Sequence, residues 1–207
     1  MTTVPTTVAT TTPPSTTLPV TTGIVLPPDL GRLVPSAPGV STPGDIWQLA
    51  PKLWLFLPSD SAGDPHLTAP RPEDAEILIA YARKQKALHL ASAPFPMELD
   101  SPEVRATYTE RGADERIQAL EPWRDARLEL ADGMVFRPRV ASEPRTADTA
   151  LVLDCYLDST YFADPATGAA LPGEQAGFRT SAVFASLVRT SGAWLVDDDG
   201  PEELSCV

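Results

Sequence analysis

A chain of 207 residues with 43% hydrophobic side chains carries enough apolar content for a globular core, and its length normally supports one domain. Its formal charge of −12 arises entirely beyond residue 28 and repels phosphate backbones and anionic lipid. With no Lys/Arg cluster to offset that repulsion, nucleic-acid binding is not expected.

The first 44 residues read as a disordered Thr/Pro-rich stalk or linker. Half of the first 22 are Thr. β-Branched Thr disfavours helix, Pro removes backbone donors, and such a stretch cannot bury enough surface to offset the entropy of ordering it. The pattern continues through Pro35, Pro38 and Pro43, with glycines at 31, 39 and 44. Most of the 23 prolines concentrate early, which leaves roughly 135–160 residues for the fold. No basic stretch followed by an apolar run marks a signal peptide after Met1. A Thr/Pro tract is nevertheless a common spacer behind a signal peptide or lipid-anchored Cys. An extracytoplasmic or cell-envelope location is therefore expected, with a cytoplasmic low-complexity tail as the alternative.

Residues 45–69 form a hydrophobic arm packing on the domain. Ile46-Trp47-Gln48-Leu49 and Leu53-Trp54-Leu55-Phe56-Leu57 are its apolar parts, with Pro51 and Pro58 around the second. Both fall far short of the roughly 18 apolar residues of a spanning helix, and no other run approaches that length. An extra strand is the expected structure, and a partner-docking patch the alternative.

Three helices follow. Pro72 with Glu73, Asp74 and Glu76 marks the start of the first, Lys84 and Lys86 lie in its C-terminal half, and Ile77, Leu78, Tyr81 and Leu88 make its apolar stripe. Asp100-Ser101-Pro102-Glu103 opens a second, expected to end near Gly112. A third is expected over about 114–132. It turns Ile117, Leu120, Trp123 and Leu130 inward, is kinked at Pro122 and is stopped by Gly133. From Met134 the period becomes alternating, with strands at 134–140, 149–159, 160–164, 178–190 and 193–199 and turns at Asp164–Gly168 and Thr190–Gly192. Helices first and an antiparallel sheet afterwards is an α+β arrangement.

Ala80-Tyr81-Ala82, Gly133, the strand Val152–Ser159, the hairpin Ala185–Arg189 with Trp194–Val196, and Cys206 carry a resemblance to the nuclear-transport-factor-2-like superfamily. It spans about residues 70–207 and is nearest in character to small exported or lipid-anchored bacterial members. The resemblance implies a cone fold, N-terminal helices packed on a strongly curved, mainly antiparallel sheet. That fold hosts isomerases, dehydratases, cyclases, binders and scaffolds alike, so it leaves activity open.

Within the strand 151–158, alternation places Val152, Asp154, Tyr156 and Asp158 on one face and Leu151, Leu153, Cys155 and Leu157 on the other. In a ketosteroid-isomerase-like cone a pocket-facing Asp beside a Tyr would serve as base and hydrogen-bond donor. The competing reading has Asp154 bonded structurally and Asp158 ending the strand, and no catalytic residue is assigned. Cys155 and Cys206, the only cysteines, suggest a disulfide in an exported chain, with two thiols as the alternative. Neither His66 nor His89 has a nucleophile or ligand at motif spacing, so neither a triad, a metal site nor a cofactor is expected. Asp197-Asp198-Asp199-Gly200 with Glu202 and Glu203 lacks the spacing of a calcium loop and reads as a solvated acidic turn. The leading expectation is a non-catalytic envelope domain that binds or assembles with an unknown protein or small apolar ligand. A small-molecule isomerase, dehydratase or cyclase and a ligand-sequestering pocket are the alternatives.

Overall fold

The apolar run at 46–57 becomes a hairpin of β2 (Gly44–Ala50) and β3 (Leu53–Pro58) inside the main sheet. In the computed structural model, which describes residues 18–60, 67–174, 177–202 and Cys206, both faces of this hairpin are covered. Leu53, Leu55 and Leu57 face one cluster with Leu78 and Phe136, while Ile46 and Phe56 face another with Leu67 and Val135. Two covered faces explain why β3 is continuously apolar rather than alternating. Each fully buried leucine contributes about 1.5–3 kcal/mol.

Part of the expected stalk belongs to this core. Residues 18–44 are not a free tail: β1 (Arg32–Val34) pairs with β2, and Ile24, Leu26 and Leu30 are buried. The carboxylate of Asp45, itself buried, accepts the backbone N–H of Thr21 (2.8 Å) and Thr22 (2.7 Å) and the Thr22 hydroxyl (2.6 Å). These bonds fix the entry of the chain, and the three apolar residues after them supply the burial that Thr and Pro cannot. The remainder of the expected tract, residues 1–17, lies outside the described residues.

The first helix, α1 (Ala75–Ser92), is preceded by a 3-10 turn at Pro72–Asp74 and buries the expected stripe of Ile77, Leu78, Tyr81 and Leu88. The second differs from expectation at its end. Ser101 caps it by accepting the Val104 N–H (3.2 Å), but α2 covers only Pro102–Arg105. Beyond it the main chain docks on the sheet: the Thr109 N–H donates to the Val196 carbonyl and the Val196 N–H to that of Thr107. Thr109 then caps a new helix, α3 (Glu110–Leu120), so Gly112 starts a helix rather than ending one. A Cβ there would stand 2.7 Å from the Asp197 carbonyl oxygen, and the glycine lets α3 sit against the sheet.

The expected helix over 114–132 is also corrected. After a 3-10 turn at Glu121–Trp123, residues Arg127–Phe136 form β4, and Trp123 is exposed, stacked on Phe162 at 4.5 Å. Leu128 and Leu130, two positions apart, share a face in a strand but not in a helix, and pairing with β6 fixes the strand. Gly133 (φ +117°) belongs to a bulge in β4, not a helix stop. The Ser159 hydroxyl accepts the N–H of Asp132 and Gly133 there and donates to the Gly133 carbonyl.

Short β5 (Pro138–Val140), long β6 (Thr149–Ala163), β7 (Arg179–Thr190) and β8 (Ala193–Pro201) complete what is, among the described residues, an open eight-stranded sheet. Its order is β1-β2-β3-β4-β6-β7-β8, with β5 also on β6. Among the described strands every strand pairing is antiparallel except β3 with β4, and Tyr108 adds an isolated parallel bridge to Val196. The α+β class therefore stands, with Ile77, Tyr81 and Leu88 of α1 packed against Val152, Ala185, Leu187 and Val196 of the sheet. Cys155 and Cys206 form a disulfide, with Cα atoms 5.6 Å apart, tying the segment after β8 back to β6.

Candidate functional site

Between α1, α3 and the inner face of β4, β6, β7 and β8 lies a cavity of about 340 Å³, within the range of small-molecule sites. Leu53, Leu88, Leu120, Leu128, Met134 and Phe136 give it an apolar wall. Its polar wall is the side of α1 carrying Lys84 and Gln85, together with Arg116 of α3, Tyr156 and Asp199.

Lys84 follows Tyr81 by three positions and precedes Leu88 by four, so the helix turns it into the core with them. Its ammonium meets the Asp199 carboxylate at 2.6 Å, with both side chains more than nine-tenths buried. Burial pushes the Lys84 pKa down and the Asp199 charge opposes it. Burial also pushes Asp199 up, but the charges of Lys84 and Arg116 outweigh it and hold the carboxyl below its usual range. Asp199 is thus an inward strand residue, and the expected solvated acidic turn is corrected in this respect. Asp197 is bound as well, accepting the Thr109 hydroxyl at 2.8 Å and pairing with Arg111. A bulge in β8 between Val196 and Asp198 lets Asp197 turn toward the helices along with its neighbour Val196, and Asp199 then follows on the inner face. Glu203 lies outside the described residues.

Of the three pocket candidates, the structure brings one to the cavity. Tyr156 lines it. Asp154 is 1% exposed, accepts the Tyr81 hydroxyl and the Arg137 N–H (both 2.7 Å), and does not reach the cavity wall. Burial raises its pKa to about 6, while the Tyr81 and Arg137 hydrogen bonds restrain the rise. Gln85 in turn donates its amide to the Tyr81 hydroxyl at 2.5 Å, so Tyr81 and Gln85 stand between Asp154 and the cavity side of α1. Asp158 pairs with Arg179 at 2.9 Å and accepts the Thr160 N–H at 2.7 Å. It does not end the strand, because β6 runs on to Ala163.

His89 sits at the cavity edge beside Ser92, its pKa lowered by burial and partly restored by a hydrogen bond with the Pro51 backbone. His66 lies outside the described residues. Among the described residues, no three His, Cys, Asp or Glu side chains are grouped to hold a metal ion, and no helix is long and apolar enough to cross a membrane.

The fold has counterparts among solved structures. Its neighbours are nuclear-transport-factor-2-like proteins. A ketosteroid isomerase-like protein from Erwinia carotovora atroseptica SCRI1043 is 19% identical, covering 62% of this chain and 94% of that one at a TM-score of 0.42. An NTF-2 like protein of unknown function from Shewanella oneidensis MR-1 is 14% identical, covering 62% and 97% at a TM-score of 0.36. The association domain of C. elegans CaMKII is 16% identical, covering 61% and 96% at a TM-score of 0.37. At such low TM-scores none of these NTF2-like neighbours speaks for a ligand or activity in this chain. No family model matches the chain, and no curated protein sequence does.

Proposed function

We propose that this chain is a non-catalytic binding domain of the cone fold whose helix–sheet cavity takes up a small, largely apolar molecule. The carrying observation is the engagement of both desolvated carboxylates near the cavity. Asp199 is ion-paired with Lys84 at 2.6 Å, and Asp154 is closed off behind Tyr81. Proton abstraction needs a base within hydrogen-bond reach of the substrate, and neither carboxylate is offered in that way. The apolar wall and the volume support uptake of a molecule of about ten heavy atoms or more. The Cys155–Cys206 disulfide supports an oxidising, extracytoplasmic setting, and a Thr/Pro stalk at the cell envelope fits the same picture.

The test uses octanamide, an uncharged amphiphile, titrated into the intact protein and followed by calorimetry. Saturable one-to-one binding that Leu88→Trp abolishes, with the fold retained by circular dichroism, supports the reading. Binding that survives the filled cavity would count against it.

A second reading is favoured by one observation, the raised pKa of Asp154 near Tyr156: an isomerase, dehydratase or cyclase using that carboxyl as its base. Deuterium exchange into a bound ketone that disappears in Asp154→Asn would select it over simple binding.

A further inference from the structure

Arg116 is the polar wall residue whose bonding capacity is least used. A guanidinium presents five N–H donors in a planar fork. Among the described residues Arg116 makes no hydrogen bond, and its Nε is shut off from solvent without a partner. Its one anionic contact is Asp199, at 3.9 Å, too long for a hydrogen bond and already second to the 2.6 Å pairing with Lys84. The side chain is 28% exposed and lines the cavity, so an acceptor placed inside the cavity can reach it.

The local charges point the same way. Lys84 and Arg116 both reach the cavity wall, where Asp199 is the one carboxylate, and Asp154 behind Tyr81 acts on Lys84 rather than on Arg116. The other ionisable wall groups add no anion: His89 is driven toward its neutral form by burial, and Tyr156 has a raised pKa for the same reason. A largely buried guanidinium with unmet donors is most readily completed by a planar anion that accepts two parallel N–H bonds.

We infer that the natural occupant of this cavity is a small amphiphile carrying a carboxylate, its head bound by the Arg116 fork and its apolar body against Leu88, Leu120, Leu128, Met134 and Phe136. This rests on the binding-domain reading and adds the chemical class of the ligand.

The experiment compares octanoate with octanamide, alike in length and shape, on the wild-type protein and on Arg116→Gln and Arg116→Lys. Octanoate should bind at least about tenfold more tightly than octanamide to wild type. The two should approach parity on Arg116→Gln, octanoate losing more than octanamide, and Arg116→Lys should restore only part of the preference, since it returns the charge without the fork. If octanamide matches octanoate on wild type, the carboxylate inference falls while the binding reading stands. If neither probe binds, both fall. Should Arg116→Gln lose octanamide as well, the variant has lost its cavity and the wild-type pair alone decides. A preference for octanoate that Arg116→Gln leaves intact assigns the anion to another group and overturns the inference.

Discussion

Asp154 gives the sharpest quantitative test. Its carboxyl titrates near 6 in the folded protein, against an ordinary value of 3.8, because burial outweighs the help of Tyr81 and Arg137. A carboxyl raised in the folded state is protonated there while the unfolded chain is already ionised. Its contribution to stability is therefore complete below about pH 3.8 and is lost as the pH rises through about 6. The full difference of about two units corresponds to about 3 kcal/mol, of which about 2 kcal/mol falls between pH 7.5 and pH 4.5. His89 acts in the opposite direction over part of this range, since burial lowers its pKa and the unfolded chain takes up the proton first. A variant comparison cancels that effect. Asp154→Asn removes the titration and keeps a carbonyl to accept the Arg137 N–H, so the stability gap between wild type and variant should widen in favour of wild type by about 2 kcal/mol on going from pH 7.5 to 4.5. Urea unfolding of both proteins with the disulfide intact measures it. A gap that stays constant within about 0.5 kcal/mol across that range would mean that Asp154 is not titrating as a desolvated group.

Three further outcomes follow from the same contacts. Replacing both Cys155 and Cys206 by Ser opens a link spanning 51 residues and should lower stability by about 4 kcal/mol; a loss under about 1 kcal/mol in urea unfolding would contradict the role given to the bridge. Lys84→Met leaves Asp199 buried with only Arg116 at 3.9 Å and the long Tyr108 hydroxyl contacts at 3.4 Å, and should destabilise by about 3–5 kcal/mol, whereas Lys84→Met with Asp199→Leu should recover most of it by thermal melting; equal losses in the two proteins would refute the pairing. Limited proteolysis should leave a protected fragment that begins upstream of Thr21, because Asp45 holds that segment; N-terminal sequencing that finds a fragment starting at residue 44 would show the segment to be detachable.

The regular parts of the fold were legible because their signals are local. The Ile77–Leu88 stripe, the alternation at 151–158 and the turn residues at 190–192 each need only neighbouring positions to be read. The misreadings occur where distant partners decide. In Arg127–Ala131 the alternation of Leu128 and Leu130 is too short to outweigh the helix that precedes it, and β6 decides. Ile24, Leu26 and Leu30 are too sparse among Thr and Pro to announce a core segment, and it is the buried Asp45 carboxylate that docks them. At the site, Asp154 and Tyr156 could be placed on one face by counting, but the intervening Tyr81–Gln85 pair could not. Lys84 did carry a signal, a charge in line with Tyr81 and Leu88 on an apolar stripe, which calls for a buried counter-charge. Nothing in the sequence identifies Asp199 as that partner, since β8 meets α1 only after the sheet has formed.

The parallel pairing of β3 with β4 also bears on how the chain is made. Leu53 of β3 lies against Met134 of β4, some eighty positions later, and the whole helical layer is threaded between them. At typical elongation rates of about 5–20 residues per second, roughly 4–16 s separate the emergence of the two strands. Any β1–β2–β3 unit formed in that interval has the Leu-Trp-Leu-Phe-Leu edge of β3 still without β4, a template for pairing with another nascent chain. Synthesis at low temperature, or with a chaperone that shields that edge, should therefore raise the soluble yield more than any change made in the later strands.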